Sequence, residues 1–272
     1  MSLGVRKLAG ALAARVSGVD FRGGLTRSDL AAIEGALATH QVLAIDAAAM
    51  SPEQHVQIAR LFGEPEHHVF FPNLGEGLEH VTVLDSEAGE RSDRWHIDES
   101  FLQNPPCVTA LHAQILPSYG GDTAFVSMGA AYDALSPRMK VYLEGLEAVF
   151  DYTMIAELSW VRGTGGAEKL AQIAGQMRSA VHPVVGAHPT TGRKSLYVEP
   201  TYLRHIKGLP EGEGKALAAF LLNHTQRPEF GYRHAWKLGD LLLWDNRSVM
   251  HYAVNDFAEH RRMYRVSVLA PV

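Results

Sequence analysis

The sequence predicts a mainly β domain with flanking helices (α+β), built as a single sandwich or barrel. Three observations predict it. Short runs rich in β-branched and aromatic residues dominate 95–126 and 181–269, while helical spacing clusters early and in insertions. Proline and glycine punctuate those runs, as at Pro105-Pro106 and Tyr119-Gly120-Gly121-Asp122. No repeat, low-complexity stretch or linker divides the 272 residues, and all-β barrels use that length as one domain, so 1–272 is expected to be one unit.

The elements follow in order. Within Gly23–Thr39, Leu30, Ile33 and Leu37 recur at helical spacing, with Thr26 or Ser28 as N-cap. Gln41–Ile45 is a short apolar strand. Ser51-Pro52-Glu53 combines a hydroxyl cap with proline in the first turn, which predicts a helix to about Phe62, stopped by Gly63. His80–Leu84 alternates as a strand does. Trp95–Phe101, Thr109–Ile115 and Thr123–Val126 are expected strands, and Gly129–Leu135 and Pro137–Leu146 expected helices. Residues 151–180 are broken by Gly163, Gly165 and Gly166 around a helical Ala167–Met177, and read as a lid or mobile insertion. Val181–Val185 and Ser195–Val198 flank the turn His188-Pro189-Thr190-Thr191-Gly192 as a hairpin. An amphipathic helix, Gly214–His224, precedes three last strands at Tyr232–Trp236, Leu241–Trp244 and Tyr264–Leu269.

Composition narrows the function. Hydrophobic residues make up 46% and charged residues 20%, enough apolar material for a packed core. A net charge of −5 argues against nucleic acid, because phosphate binding needs a basic face. No apolar run approaches the ~20 residues of a membrane helix, and Met1–Leu12 lacks the apolar stretch of a secretory signal. The single cysteine, Cys107, leaves no internal disulfide and no thiolate metal knuckle. The expectation is a soluble cytoplasmic protein with small-molecule partners, compatible with a homodimer or homotetramer. With 14 histidines, a metal site would be built from imidazole and carboxylate.

Trp95-His96-Ile97-Asp98-Glu99 holds the single His-x-Asp or His-x-Glu of the chain. On a strand, residues i and i+2 face one side, so His96 and Asp98 would present a nitrogen and an oxygen together. Taken alone, a surface pair on a strand is the plainer reading. His251, in Val249-Met250-His251-Tyr252, follows the strand ending at Trp244 and is a candidate third ligand. Two histidines and one carboxylate with open positions suit Fe(II). Taken alone, His251 is as well explained by a core histidine bonded to a carbonyl.

Arg261, Arg262 and Arg265 follow closely. If 261–269 is extended, Arg261, Met263 and Arg265 share one face, and Arg262 and Tyr264 the other. Arginine forks bind carboxylates with two hydrogen bonds. Edge-strand surface arginines are the plainer reading. Thr123, at the end of the Gly120-Gly121-Asp122 turn, has a hydroxyl for the same carboxylate, or simply starts a strand.

Taken together the set resembles the taurine dioxygenase/TfdA family of Fe(II)- and 2-oxoglutarate-dependent oxygenases. Thr123 follows Asp98 after 24 intervening residues, His251 follows Thr123 after 127, and the basic cluster comes next. Gly18-Val19-Asp20, His40-Gln41-Val42-Leu43, Pro52-Glu53-Gln54-His55 and Leu61-Phe62-Gly63 resemble the family's N-terminal part. Trp95–Phe101, Gly120–Thr123, His188-Pro189-x-x-Gly192-Arg193-Lys194 and Trp244-Asp245-Asn246-Arg247 resemble its core. The likeness covers nearly the whole chain and implies a double-stranded β-helix, or jelly roll, with flanking helices.

The resemblance also implies roles. His96, Asp98 and His251 would hold Fe(II). The cosubstrates would be 2-oxoglutarate and O2, with hydroxylation of a substrate C–H bond and release of succinate and CO2. The distal carboxylate of 2-oxoglutarate would meet Thr123 and one arginine. Two family arginines stand four apart on the last strand, which Arg261 and Arg265 match. Arg262 better fits the usual distance after the metal histidine. A one-residue deletion after Phe257 reconciles the two and favours Arg261. Arg265 would then hold an anionic group of the substrate: a sulfonate, alkyl sulfate, aryloxyalkanoate or amino-acid-like molecule.

By position, His68 and Phe71 match substrate contacts of the family's sulfonate enzymes, with Phe replacing Tyr, and Ser92 falls near another polar contact. Glu99 stands where relatives often carry an uncharged residue. It either faces solvent or pairs with a substrate amine or with Arg265, so the resemblance points away from taurine itself. Two other readings share the triad: a zinc hydrolase and a non-catalytic jelly-roll binding protein.

Overall fold

A computed structural model describes residues 3–48, 50–68, 71–88, 94–157, 168 and 179–270. Most of the stretch expected as a lid, the helix expected at Ala167–Met177, and Ser92 lie outside these residues.

The chain opens with a hairpin, β1 (Gly4–Lys7) and β2 (Ala14–Ser17), followed by α1 (Arg27–His40) and β3 (Val42–Asp46). Then come α2 (Pro52–Ala59), β4 (Glu64–Pro65) and β5 (Thr82–Asp85). The core continues with β6 (Pro106–Ile115), β7 (Thr123–Ser127), α3 (Met128–Asp133) and α4 (Pro137–Leu143). Short strands β8 (Glu147–Phe150), β9 (Ala180–Pro183), β10 (Val185–Ala187), β11 (Lys194–Leu196) and β12 (Leu203–Ile206) precede α5 (Glu211–Thr225). The chain closes on β13 (Gly231–His234), β14 (Asp240–Asp245), β15 (Val249–Ala253) and β16 (Arg262–Leu269).

The local chemistry explains the starts. Thr26 caps α1 in a capping box with Asp29, and Ser51 caps α2 in one with Gln54, with Pro52 in the first turn. The α2 helix ends at Ala59, short of Phe62, and α5 starts at Glu211, ahead of Gly214.

An eight-stranded sheet runs β1-β2-β3-β14-β6-β16-β4, with β5 also on β16. Its β14 is buried at every position, because each face has a cover. Leu241 and Leu243 pack with Ile33 and Leu37 of α1 and Val56 and Ile58 of α2. Leu242 and Trp244 pack with Phe125 and Val249, which belong to a second sheet ordered β13-β7-β15. The helices thus cover one face and the three-stranded sheet the other, as the β-sandwich reading requires.

Three local expectations are corrected. Trp95–Phe101 is not a strand: only His96 pairs, in an isolated bridge to His251, and the chain turns at 98–101 with Glu99 at φ 44°. Burial of Ile97 and Phe101 and a bond from Ser100 to Glu199 hold that turn. His251 does follow the strand ending near Trp244, but the segment that holds it, left unassigned in the sequence, is itself a strand, β15. The hairpin around His188 joins β10 to β11, while Val181 sits in β9 and pairs with β8.

Candidate active site

The two sheets bring the three predicted ligands together. His251 stands mid-β15, opposite Phe125 of β7. The paired bonds His96 N–H to His251 O and His251 N–H to His96 O, each 2.9 Å, carry the 95–101 segment to that strand. Nε2 of His96 is 3.5 Å and Nε2 of His251 3.6 Å from Oδ1 of Asp98. Ligand atoms of all three residues lie within 4.8 Å of one another.

The surroundings prepare each group. Nδ1 of His96 donates to the Arg94 carbonyl at 2.9 Å, which leaves Nε2 as a lone-pair donor. Burial, then the neighbouring His96, push His251 down to about 3, so its ring is neutral. Trp244 and Phe125 flank that ring at centroid distances of 4.6 and 5.8 Å. Asp98 is buried, which raises its carboxyl, but His251, His96 and Arg265 outweigh burial and hold it well below the usual range. Its Oδ2 accepts from Thr109 Oγ1 at 2.7 Å. Thr109 Oγ1 in turn accepts from Asn246 Nδ2, and Asn246 Oδ1 from Trp244 Nε1, each at 2.9 Å. The Trp244–Asn246–Thr109 chain crosses from β14 to β6, where Trp244 and Thr109 are register partners.

A second group lies where the chain enters β16. Arg261 is 8% exposed, and its Nε donates to the Gly121 carbonyl at 3.0 Å. Gly121 has φ 70°, and a Cβ there would stand 3.1 Å from Arg261 Cδ. The guanidinium lies 5.9 Å from the Trp236 ring, and Trp236 Nε1 donates to Thr123 Oγ1 at 3.0 Å. Arg261 Nη2 is buried with no partner among the described residues, and burial pushes the guanidinium down to about 10. Arg262 is not brought to this group. Its side chain is 39% exposed and pairs with Asp85 of the adjacent β5 at 2.7 Å.

A third group adjoins Asp98. Arg265 is 9% exposed, with Nη1 3.8 Å from Asp98 Oδ1 and its guanidinium 5.7 Å from the Phe71 ring. Phe71 and His68 stack at 4.9 Å, and His68 Nε2 is 3.4 Å from Glu99 Oε1. Glu99 is 6% exposed, which overturns the solvent-facing alternative. Burial, then Glu66, push its carboxyl well above the usual range.

No pattern in the sequence marked Trp236, Thr109 or Glu66 for this site. Asn246 was visible within Trp244-Asp245-Asn246-Arg247, though without a role. In the same motif Asp245 accepts from His188 Nε2 at 2.8 Å, which ties two of the sequence motifs into one buried pair.

Known proteins are similar to this chain over nearly its whole length. The family described as taurine catabolism dioxygenase TauD, TfdA matches residues 4–267. An alkylsulfatase of Acinetobacter baylyi is 32% identical, over 98% of this chain and 85% of its own length. An alpha-ketoglutarate-dependent 2,4-dichlorophenoxyacetate dioxygenase of Cupriavidus pinatubonensis is also 32% identical, over 99% of this chain and 98% of its own. The crystal structure of a taurine dioxygenase from Burkholderia xenovorans superposes with a TM-score of 0.84 at 30% identity, covering 100% of this chain and 91% of that one.

Proposed function

The chain belongs to the taurine dioxygenase TauD, TfdA family, and on that premise we propose that it hydroxylates a small organic anion held by Arg265 beside an iron bound at His96, Asp98 and His251. Membership makes it an Fe(II)- and 2-oxoglutarate-dependent dioxygenase, an oxidoreductase that also consumes O2. The donor set suits the metal: two neutral-capable imidazoles and one ionised carboxylate converge, and three protein ligands leave the remaining positions of an octahedral ion to 2-oxoglutarate and O2. Bound Fe(II) supplies the activation of dioxygen that couples decarboxylation of 2-oxoglutarate, to succinate and CO2, with C–H hydroxylation.

The protein's own groups bind and orient. Thr123 Oγ1 already accepts from Trp236, so its hydroxyl proton is available to a carboxylate. With the buried Nη2 of Arg261 it makes a cradle for the distal carboxylate of 2-oxoglutarate. Thr109 fixes which oxygen of Asp98 turns to the metal. His68, Phe71 and Glu99 line the substrate side with Arg265, and Trp244 and Phe125 keep water from the His251 ring.

Arg265 carries the reading of the substrate as an anion. It is a buried cation whose Nε has no partner among the described residues. Asp98, the carboxylate beside it, is 3.8 Å away and committed to the triad. Asp98 offsets the charge from a distance but leaves Nε unsatisfied, and an unsatisfied buried charged donor is costly, so the site favours a substrate that brings an anionic acceptor. The named substrates of the relatives, alkyl sulfates and a chlorinated phenoxyacetate, are of that kind. A zinc hydrolase or binding protein on the same triad would leave Arg261 and Thr123 without a ligand.

On this reading 1–272 is one dioxygenase domain. Its partners are small molecules, with no part for nucleic acid. We place it in the cytoplasm because its one cysteine is a buried free thiol. No described helix is long and apolar enough to cross a membrane.

The test is substrate-dependent succinate release under Fe(II) and ascorbate across sulfonates, alkyl sulfates, aryloxyalkanoates and amino-acid derivatives. Anions are expected to stimulate release, their uncharged amides or esters not. Arg265→Ala should lose about tenfold to a hundredfold in the substrate KM. Equal stimulation by charged and uncharged analogues would overturn the reading.

A further inference from the structure

The metal ligands His96 and Asp98 sit on a segment with little backbone support. Its ladder contact is the single bridge between His96 and His251, after which the chain turns. Something else must fix a segment whose side chains have to converge on one ion.

The segment 199–202 contacts both of its ends. Glu199 is 0% exposed and accepts three hydrogen bonds. Ser100 Oγ donates to its Oε1 at 3.0 Å, and the Tyr202 N–H to the same oxygen at 2.9 Å. The Thr201 N–H donates to Oε2 at 2.6 Å. At the other end, Thr201 Oγ1 donates to the Trp95 carbonyl at 2.9 Å. Trp95 and Ser100 bracket His96 and Asp98 in the chain. The Phe101 ring packs edge-on against Tyr202 at 4.9 Å, which adds an apolar contact to the polar ones.

We propose that Glu199 is a positioning residue for the iron site: it folds 199–202 into a clamp whose two side-chain bonds, to Ser100 and to Trp95, set the placement of His96 and Asp98. A carboxylate suits the task because one group accepts from the two backbone N–H groups that shape the turn and still reaches the Ser100 hydroxyl. Keeping it buried is costly, and burial pushes its carboxyl up to about 7 against the three donors. Groups that orient metal ligands from behind typically change metal affinity by about tenfold to a hundredfold when removed.

The proposal rests on His96, Asp98 and His251 as the metal ligands, and one experiment separates the two claims. Mn(II) affinity is measured by titration of the full chain, wild type against Glu199→Ala, Glu199→Gln and Ser100→Ala, well below each melting temperature. Leu221→Ala serves as a control, since Leu221 is buried in the same apolar cluster as Ile97 and Phe101 but bonds neither end of the segment. Glu199→Ala and Ser100→Ala should each raise the Mn(II) Kd about tenfold to a hundredfold. Glu199→Gln should lose less, because one oxygen still accepts from Ser100 and Tyr202. Leu221→Ala should melt earlier with an unchanged Kd. Should Glu199→Ala not fold, Ser100→Ala decides, since it leaves the 199–202 turn intact. Wild-type Kd values in Ser100→Ala and Glu199→Gln, with only melting affected, overturn the proposal and leave the metal reading standing. A wild type that binds no Mn(II) sinks both.

Discussion

Arg261 and Arg265 bracket Met263 on the inward face at the start of β16, each buried to about nine-tenths, and serve separate neighbourhoods. Arg261 reaches the Gly121 carbonyl, and Arg265 lies beside Asp98. Four residues of strand separate them by about 13 Å. One short segment therefore presents two buried cations to two separate parts of the interior, while Arg262 between them turns out to Asp85.

That division predicts unequal effects on the cosubstrate. Arg261→Ala should raise the apparent 2-oxoglutarate constant by about tenfold to a hundredfold, the worth of a charge-assisted fork of roughly 1.5–3 kcal/mol. Arg262→Ala should stay within about twofold, since exposed ion pairs contribute little. Steady-state kinetics of both variants at saturating primary substrate decide it. A large loss in Arg262→Ala with a near-normal Arg261→Ala would shift the register of the last strand.

Thr109 predicts an effect on the metal without any effect on 2-oxoglutarate recognition. Thr109→Val removes the hydroxyl bonded to Asp98 Oδ2 and keeps the β-branched shape. Metal affinity should fall about tenfold to a hundredfold. Mn(II) titration of the variant measures it, and an unchanged Kd would mean that Asp98 is oriented by other groups.

How much of this was legible beforehand depended on whether a role is local. The inward parity of Arg261 and Arg265 follows from strand alternation, and the structure has it. His96 and Asp98 stood out as a pair, yet the strand invoked for them is a turn. Its shape is set by Ile97, Ser100 and Phe101 meeting groups far along the chain. Thr109, Asn246 and Glu199 act through hydrogen bonds to residues 11 to 137 positions away, a relation that no local pattern encodes. Six strands, β1, β2, β4, β8, β12 and β15, went unread because two to five residues carry too little alternation to stand out. In β15 a histidine and a tyrosine also masked the run.

The helix-covered side of the major sheet predicts a pH dependence. His55 on α2 is buried, with Nε2 3.1 Å from the Ala110 carbonyl. Burial, then His112, push it down to about 3 from an ordinary 6.5. The folded state therefore resists a proton that the unfolded chain accepts. Stability from this group is complete above about pH 6.5 and declines as pH falls from there toward 3. A shift of that size amounts to at most about 5 kcal/mol. Urea unfolding at pH 7 and pH 5 should show wild type losing more stability than His55→Gln. Parallel losses in the two proteins would remove His55 as the source.

An iron held by His96, Asp98 and His251 should make 2-oxoglutarate turnover depend on Fe(II), and succinate formation in air with Fe(II) as sole added metal measures that dependence. Wild type should release succinate in proportion to bound Fe(II). Asp98→Ala, with its fold checked by circular dichroism, should fall by at least about a hundredfold, because the carboxylate it lacks would be one of three protein ligands to the iron. Succinate release by folded Asp98→Ala at the wild-type rate would contradict the account.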